Sequence, residues 1–525
     1  MSREPDVSVV VAVYNTMPYL TRCLNSLVRQ TIGRDRLEVV AVDDGSTDGS
    51  GRELDRFARL HPETVKVIHQ ENSGGPAVPS NRALAHVTGR YVFFVGADDY
   101  LGPEALERLV RAADEYDSDV VLGRAVGVNS RNIHQAIFAR NEVEVDLFDS
   151  ALPWSLANTK LFRRELIERH QLRYPEDMPV GSDQPFTLEA CFRAKRISVL
   201  ADYDFYHAVR RLNARNITYR SRHVERLRCA ESIMDFVAGL IEPGERRDAI
   251  LVRHFTWEVA RLLEDDFREL DRAVQEQVVA GVRQLAERYL TDRIRAQLPI
   301  ESRLRIGTAW RGDVDDVLAV VRQDAEQGVP PTIVDGERWY AGYPGFRDPR
   351  LELPDDWFDV SGAAADWLAR LEAVSVDWET CADGERALTV TARTPRRDLA
   401  SLTSGPIGMT AGDVTGTTLE TSRDGTGSTV RAQFRVGLLL GGATGAGGSL
   451  LPVRSQLTAF GGVGSAALRA PTRPAVSRFM LRRGMRFFVL TPTTSHRGQL
   501  VIAIAPVTPR RVLARLRRRL PQGGK

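Results

Sequence analysis

Two pairs of adjacent carboxylates, Asp43-Asp44 and Asp98-Asp99, each follow a run of apolar, largely β-branched or aromatic residues. Acids set side by side repel and raise each other's pKa unless a positive charge shares them. A divalent cation is the natural guest: hard oxygen ligands select Mg or Mn, and such a metal gathers phosphate. The plain alternative at Asp98-Asp99 is a solvated acidic turn ahead of a helix that begins near Pro103. Tyr14-Asn15 and the turn Asn72-Ser73-Gly74-Gly75-Pro76 are the other chemically loaded stretches of the N-terminal region.

Such residues need rigid edges to hold them. The runs at 7–14, 37–42, 65–69 and 91–95 read as buried strands. Between them lie helical patterns over 16–30 and 77–87, and a helix carrying Leu54, Phe57 and Leu60 with Ser46 or Thr47 as its cap. This alternation predicts parallel βαβ units, whose ligands bind beyond the carboxyl ends of the strands. Tyr14, Asn15, Asp43, Asp44, the 72–76 turn, Asp98 and Asp99 all fall on that edge.

Farther along, strands are expected over 156–162 and 197–202, and a helix over 183–195 capped by Ser182. From 220 to 326 glycine is sparse and a 3.6-residue apolar period predicts packed helices. Pro330-Pro331 marks a break. From 335 onward, short alternating runs such as 387–392, 429–436 and 499–504, separated by Gly-rich turns, predict an antiparallel sandwich. Residues 510–525 carry seven Lys and Arg and no acid. Val512, Leu513, Leu516 and Leu520 share one helical face there, the pattern of a helix that contacts an anionic membrane. A disordered basic terminus is the alternative.

Composition narrows the classes. A formal net charge of +2 in 525 residues implies no whole-protein attraction to nucleic acid. Cys23, Cys191, Cys229 and Cys381 lack metal spacing and read as buried thiols in a reducing compartment. No apolar run nears the roughly 20 residues of a membrane span, and no signal peptide is read, so a cytoplasmic location is expected.

Four motifs in order carry a resemblance: Val7-Ser8-Val9-Val10-Val11-Ala12-Val13-Tyr14-Asn15, Val42-Asp43-Asp44-Gly45-Ser46-Thr47-Asp48, Asn72-Ser73-Gly74-Gly75-Pro76, and Gly89-Arg90-Tyr91-Val92-Phe93-Phe94-Val95 with Asp98-Asp99. Over about residues 5–215 the chain resembles inverting family 2 glycosyltransferases of the GT-A fold. Lys160-Leu161-Phe162-Arg163-Arg164, Gly181-Ser182-Asp183-Gln184-Pro185-Phe186 and Asp202-Tyr203-Asp204-Phe205-Tyr206-His207 are similar to the poly(ribitol-phosphate) N-acetylglucosaminyltransferases of wall teichoic acid decoration, as is the chain layout.

That resemblance implies an α/β GT-A catalytic domain over 1–218, an α-helical linker over 219–334, a β-sandwich over 335–508 for acceptor binding or oligomerisation, and a basic tail over 509–525. It implies that Val13 and Tyr14 wall a uracil pocket, that Asp44 accepts from the uracil ring N–H, and that Asn72 and Arg82 touch the nucleotide. Asp98 and Asp99 would share the ribose hydroxyls and a Mn or Mg ion, with His207 completing the metal site. Gly96 stands where many relatives carry a third acid. Asp183 falls at the position of the catalytic base, which takes the proton of the acceptor hydroxyl. Its place at a helix start is expected to lower its pKa. Arg210, Arg211 or Arg215 would close over the phosphates, with 213–218 as a lid.

The implied reaction moves N-acetylglucosamine or a similar sugar from a UDP-sugar to a hydroxyl of an anionic polyol-phosphate polymer. A capsular or other surface polysaccharide is the alternative acceptor, and a homo-oligomer, often a trimer, is the implied assembly. A rival from another class, motivated by Gly96, is a non-catalytic protein that binds sugar nucleotide or polymer.

Overall fold

The computed structural model describes residues 4–129, 131–211, 222–394, 399–424, 427–441, 449–460, 462–470, 476–483, 486–495 and 498–507, together with 396 and 474. The chain folds as two compact units, residues 1–262 with 270–299 and residues 263–269 with 300–525.

The first unit begins with strand β1 (Val7–Val13), whose sequence VSVVVAV is buried except at Ala12. β-Branched side chains suit a strand covered on both faces. Then follow α1 (Leu20–Val28), β2 (Leu37–Asp44), α2 (Ser50–Leu60), β3 (Val65–Gln70), α3 (Ala77–Leu84) and β4 (Tyr91–Phe94). Leu20, Cys23, Leu24 and Leu27 form the buried stripe of α1, at the spacing a helix needs to face one side. Next come β5 (Tyr100–Leu101), α4 (Ala105–Tyr116), β6 (Val120–Gly123), β7 (Ala125–Val128), β8 (Lys160–Arg163), α5 (Arg164–Arg169), α6 (Asp183–Arg193), β9 (Ile197–Leu200) and β10 (Tyr206–Val209).

Among the described residues the main sheet has the order β3-β2-β1-β4-β8-β6-β9, and β5-β10-β7 form a second. β1 pairs in parallel with β2 and β4, with Val13 opposite Asp43 and Val10 opposite Phe94. That register places Tyr14, Asp44 and residues 95–99 side by side. The parallel pairing expected of β1 to β4 is present, and β8 runs antiparallel between β4 and β6. Among the described residues between β7 and β8 the structure has the short turns Ala136–Phe138 and Leu152–Trp154 but no α-helix, the usual crossover that returns a parallel strand. The start of α2 is held by Asp48 rather than Ser46 or Thr47: its carboxylate accepts from Ser50 N–H at 2.9 Å and from Ser50 Oγ at 2.6 Å.

The helical stretch expected over 219–334 is shared between the units. α7 (His223–Leu240) and α8 (Glu245–His254) belong to the first. A π turn at Phe255–Val259 continues α8. Ile300–Arg311 and Val314–Arg322 belong to the second.

In the second unit one antiparallel sheet orders Glu372–Thr380, Arg386–Thr394, Gly427–Arg435 and Thr417–Asp424. Another runs from Val414–Thr415 and Gly408–Ala411 through Ser449–Ala459, Leu500–Pro506 and Arg486–Thr494 to Phe479–Arg483, with Gly462–Ala467 paired to Ser449–Ala459. Leu388, Val390, Val430 and Phe434 of the first sheet share a buried cluster with Met409, Val453, Leu490 and Ile502 of the other. Alternation at period two supplies this inward face.

All four cysteines are free thiols, three of them buried. Among the described residues no helix is long and apolar enough to cross a membrane. The basic tail, the segment 213–218 and Arg215 lie outside the described residues.

Candidate active site

The carboxyl ends of β1, β2 and β4 open into a cavity of about 690 Å³. Val13, Tyr14, Asp44, Asn72, Asp98, Asp99 and Asp183 all line it. Of the expected site residues that the structure describes, Arg82, His207 and Arg210 are not among those that line it.

Tyr14 is 47% exposed and forms an open aromatic wall. Asn15 turns the chain after it with φ +49°, a conformation Asn tolerates better than most residues. Its side chain accepts from the N–H groups of Thr47 and Asp48 at 2.8 and 3.2 Å. The loop after β1 is thus tied to the loop after β2.

Asp44 is 2% exposed, and its carboxylate is already surrounded by donors. Gln70 Nε2 donates at 2.6 Å, Asn72 Nδ2 at 3.3 Å, the Ser73 N–H at 3.1 Å to each oxygen, and Ser73 Oγ at 3.0 Å. Asp44 therefore anchors the 72–76 turn against the cavity. Arg82 is exposed on α3 and donates to Gln70 Oε1 at 3.3 Å. It reaches the site only through Gln70 and Asp44.

Asp98 and Asp99 divide their work. Asp98 Oδ2 accepts from Arg211 Nε at 2.7 Å, and Arg211 also donates to the Asn15 carbonyl at 3.2 Å. Asp99 is 5% exposed. It accepts from the Tyr206 hydroxyl at 2.6 Å and from the Val209 N–H at 2.6 Å, with Arg131 Nη1 at 3.6 Å. Burial, then the charge of Asp98, pushes the Asp99 carboxyl up to about 6, against the pull of Arg131 and its two hydrogen bonds. Gly96 explains the missing acid. A Cβ there would stand 2.8 Å from Asp99 Oδ2 and 3.3 Å from both Asp98 Oδ1 and Tyr206 Oη.

His207 lies next to Tyr206 in β10, so its side chain faces the other way. Its ring stacks on Tyr100 at 4.4 Å and 6°, and burial lowers its pKa. Among the described residues no group of three or more His, Cys, Asp or Glu side chains is placed to hold a metal ion. The donor set fits a cation that takes one or two protein carboxylates and fills its shell with phosphate oxygens and water. It does not fit an all-protein cage.

Asp183 opens α6, as expected, but Ser182 makes no side-chain cap. The expected pKa direction is reversed. Burial raises the Asp183 carboxyl, against its own N–H, Arg253, Lys160 and the Asn158 N–H, which lower it. A helix terminus contributes about 0.3–1 kcal/mol at an exposed site, whereas desolvation moves a carboxyl by up to several units. The result favours a base, since a raised pKa strengthens proton acceptance near neutral pH. Sequence reading passed over Tyr206 and Arg131. It also assigned no role to Lys160, the first residue of β8, whose side chain is buried.

Residues 8–169 match the family model Glycosyl transferase family 2, and residues 226–321 match Glycosyl transferase TarS linker domain. Over 205 residues, 39% of this chain, the sequence is 38% identical to the poly(ribitol-phosphate) beta-glucosyltransferase of Bacillus spizizenii and 39% identical to the poly(ribitol-phosphate) beta-N-acetylglucosaminyltransferase TarS of Staphylococcus aureus. The match spans about a third of those curated relatives, 32% and 35% of their lengths. The crystal structure of S. aureus TarS 1–349 in complex with UDP-GlcNAc superposes with a TM-score of 0.56 at 28% identity, covering 65% of this chain and 97% of that one. The crystal structure of S. aureus TarS, at 20% identity and a TM-score of 0.59, covers 96% of this chain and 86% of its own, and carries the likeness of fold alone.

Proposed function

We propose that this chain, whose residues 8–169 form a family 2 glycosyltransferase domain, transfers a sugar from a UDP-sugar to a hydroxyl of an anionic polyol-phosphate polymer of the teichoic acid kind. One observation carries the reading: a single cavity gathers an aromatic wall at Tyr14, the Asp44-anchored turn, Asp98 with Asp99, and the half-buried Asp183. Two relatives named for poly(ribitol-phosphate) transfer support the acceptor class. One is named for transfer of glucose and the other for transfer of N-acetylglucosamine, so both donors enter the test.

The uracil rests against Tyr14 and Val13, and Asn72 faces the nucleotide from the turn. Asp98, backed by Asp99, would hold Mn or Mg. Bound there, the cation supplies positive charge against the departing diphosphate. Arg131 and Arg211 line the same cavity, and guanidinium pairs well with phosphate. Asp183 takes the acceptor's proton as the oxygen bonds to the anomeric carbon and UDP leaves with the electron pair of the broken bond. The reading extends to a catalytic domain over 1–218, a linker over 219–334, a sandwich over 335–508 and a tail over 509–525. It places the protein in the cytoplasm, with that tail against an anionic membrane surface and the chain assembled as a trimer.

The test is UDP release from UDP-glucose and UDP-N-acetylglucosamine with Mn, with and without poly(ribitol phosphate), comparing wild type with Asp183→Asn. Release should depend on the polymer and fall about 10²–10⁴-fold in the variant. Release driven only by a neutral polysaccharide moves the acceptor class. No release from either donor while UDP still binds sinks the transferase reading in favour of a binding protein.

A further inference from the structure

Two buried cations stand around Asp183, and the transfer reading uses neither. Lys160 opens β8 and is 1% exposed. Its Nζ donates to the carbonyls of Ser155 and Ala157, both at 2.5 Å. The turn it clasps lines the cavity at Ala157, Asn158 and Thr159, and Asp183 lines the same cavity. Arg253 lies near the end of α8 and is 6% exposed. Its Nη1 donates to Gln184 Oε1 at 2.5 Å and to Glu258 Oε1 at 2.9 Å. Gln184 is the next residue after Asp183 and itself donates to Glu258 Oε1 at 3.3 Å. Arg253 and Glu258 are five residues apart, and the π turn after α8 provides the wider i, i+5 ring that brings such residues together. The base is thus held from two sides: Lys160 ties down the turn that shares its cavity wall, and Arg253 grips its neighbour Gln184 from the α8 side.

We propose that Lys160 and Arg253 are positioning residues that fix the Asp183 carboxylate toward the cavity and hold it as the anion that accepts a proton. The proposal rests on Asp183 being the base. Both cations sit out of reach of the open cavity mouth, so they act on Asp183 rather than on substrate.

The charges around the site set the expected order of effects. Burial works to raise the Glu258 carboxyl, but Arg253 and His254 outweigh it and bring it down to about 2. Glu258 is therefore ionised and offsets much of the Arg253 field. His254 is fully buried, and its pKa is lowered chiefly by that burial. Burial brings the Lys160 ammonium down to about 8, so it stays largely charged at neutral pH. Tyr174 also faces Asp183, and burial raises its hydroxyl well above the usual value. On the carboxylate's own helix Cys191 faces Lys160, and burial raises that thiol to about 11. Both stay neutral. On the cavity side Arg131, Arg211, Asp98, Asp99 and Glu225 share the lining. Lys160 is left as the least compensated cation beside the base.

The experiment measures kcat/KM against pH for UDP release from UDP-N-acetylglucosamine and poly(ribitol phosphate), in wild type, Lys160→Met, Arg253→Gln and Asp183→Asn. The acid limb reports the base of the free enzyme. Losing a nearby cation should move it to higher pH, by about 0.5–1 unit in Lys160→Met and by less in Arg253→Gln, with the KM for the UDP-sugar unchanged. A merely structural role lowers the rate at all pH values and leaves the limb in place, and that result overturns the proposal. If Lys160→Met does not fold, judged by its thermal melt, Arg253→Gln decides alone. Asp183→Asn separates the two readings: full activity there overturns the assignment of the base itself, whereas an inactive Asp183→Asn with unmoved limbs overturns only the positioning proposal.

Discussion

The Tyr206 hydroxyl donates to Asp99 Oδ2 at 2.6 Å while it accepts from the Gly96 N–H at 3.0 Å. One phenol closes the end of β4 onto β10, and Asp99 becomes a buried strut rather than an open ligand. Its carboxyl, pushed up to about 6 by burial and by Asp98, lies above the unfolded carboxylate value of about 3.9. The folded chain therefore keeps this proton to higher pH than the unfolded chain does. The associated stability is fully present below about pH 4 and is lost as pH rises through about 6. Asp99→Asn removes that loss. In metal-free buffer, the unfolding free energy of the variant minus that of wild type should grow between pH 4 and 7 by on the order of 2 kcal/mol. Denaturant unfolding at four pH values measures it, and a difference that stays flat with pH refutes the strut.

Gly96 makes the opposite case from sequence and from packing. By sequence it looks like a lost metal ligand that an acid would restore. In the fold a Cβ there would meet Asp99 Oδ2 at 2.8 Å, and overpacking of this kind costs about 1–3 kcal/mol. Gly96→Asp is expected to lower both the melting temperature and Mn-dependent UDP release. Higher release at low Mn would show that the carboxylates can make room.

His207 and Asp98 separate a stacked ring from an open carboxylate. His207→Phe keeps a flat ring on Tyr100 and removes the imidazole nitrogens, so the Mn concentration giving half-maximal activity should not move. Asp98→Asn should raise that concentration about 10-fold or more. A Mn titration of both variants decides, and a shift confined to the His207 variant would return the imidazole to the metal.

The edge chemistry was legible because it is local. Apolar runs name the strands, and parallel register carries the residue after each run to one side, which places Tyr14, Asp44 and Asp98 together. What was illegible depends on distant partners. Gly96 is explained by the position of Asp99, which is fixed by Tyr206 more than 100 residues later in the chain. His207 lies off the cavity because alternation along β10 gives Tyr206, not His207, the face toward it, and the pairing with β5 and β7 fixes which. The Asp183 shift took the wrong sign because a helix start is visible in sequence and the burial around it is not. Likewise, β8 reads as a strand from its composition, while its direction depends on how the preceding stretch returns.

Asp44 offers the sharpest remaining distinction, between touching the uracil and building the wall around it. A carboxylate has about four lone-pair positions, and Gln70, Asn72 and Ser73 already supply five contacts to the two oxygens. Little capacity is left for a ring N–H, so Asp44 should act through the turn it holds. Asp44→Ala leaves those donors without their acceptor and is expected to cost about 2–4 kcal/mol of stability, and UDP affinity should fall as the Asn72–Pro76 turn loosens. The decisive comparison is a cycle with UDP and N3-methyl-UDP against wild type and Asp44→Ala. If Asp44 only positions the turn, the losses from methylation and from the substitution add. A coupling above about 1 kcal/mol between them would mean that the carboxylate does accept from the uracil ring, and that one of its present donors gives way when the nucleotide binds.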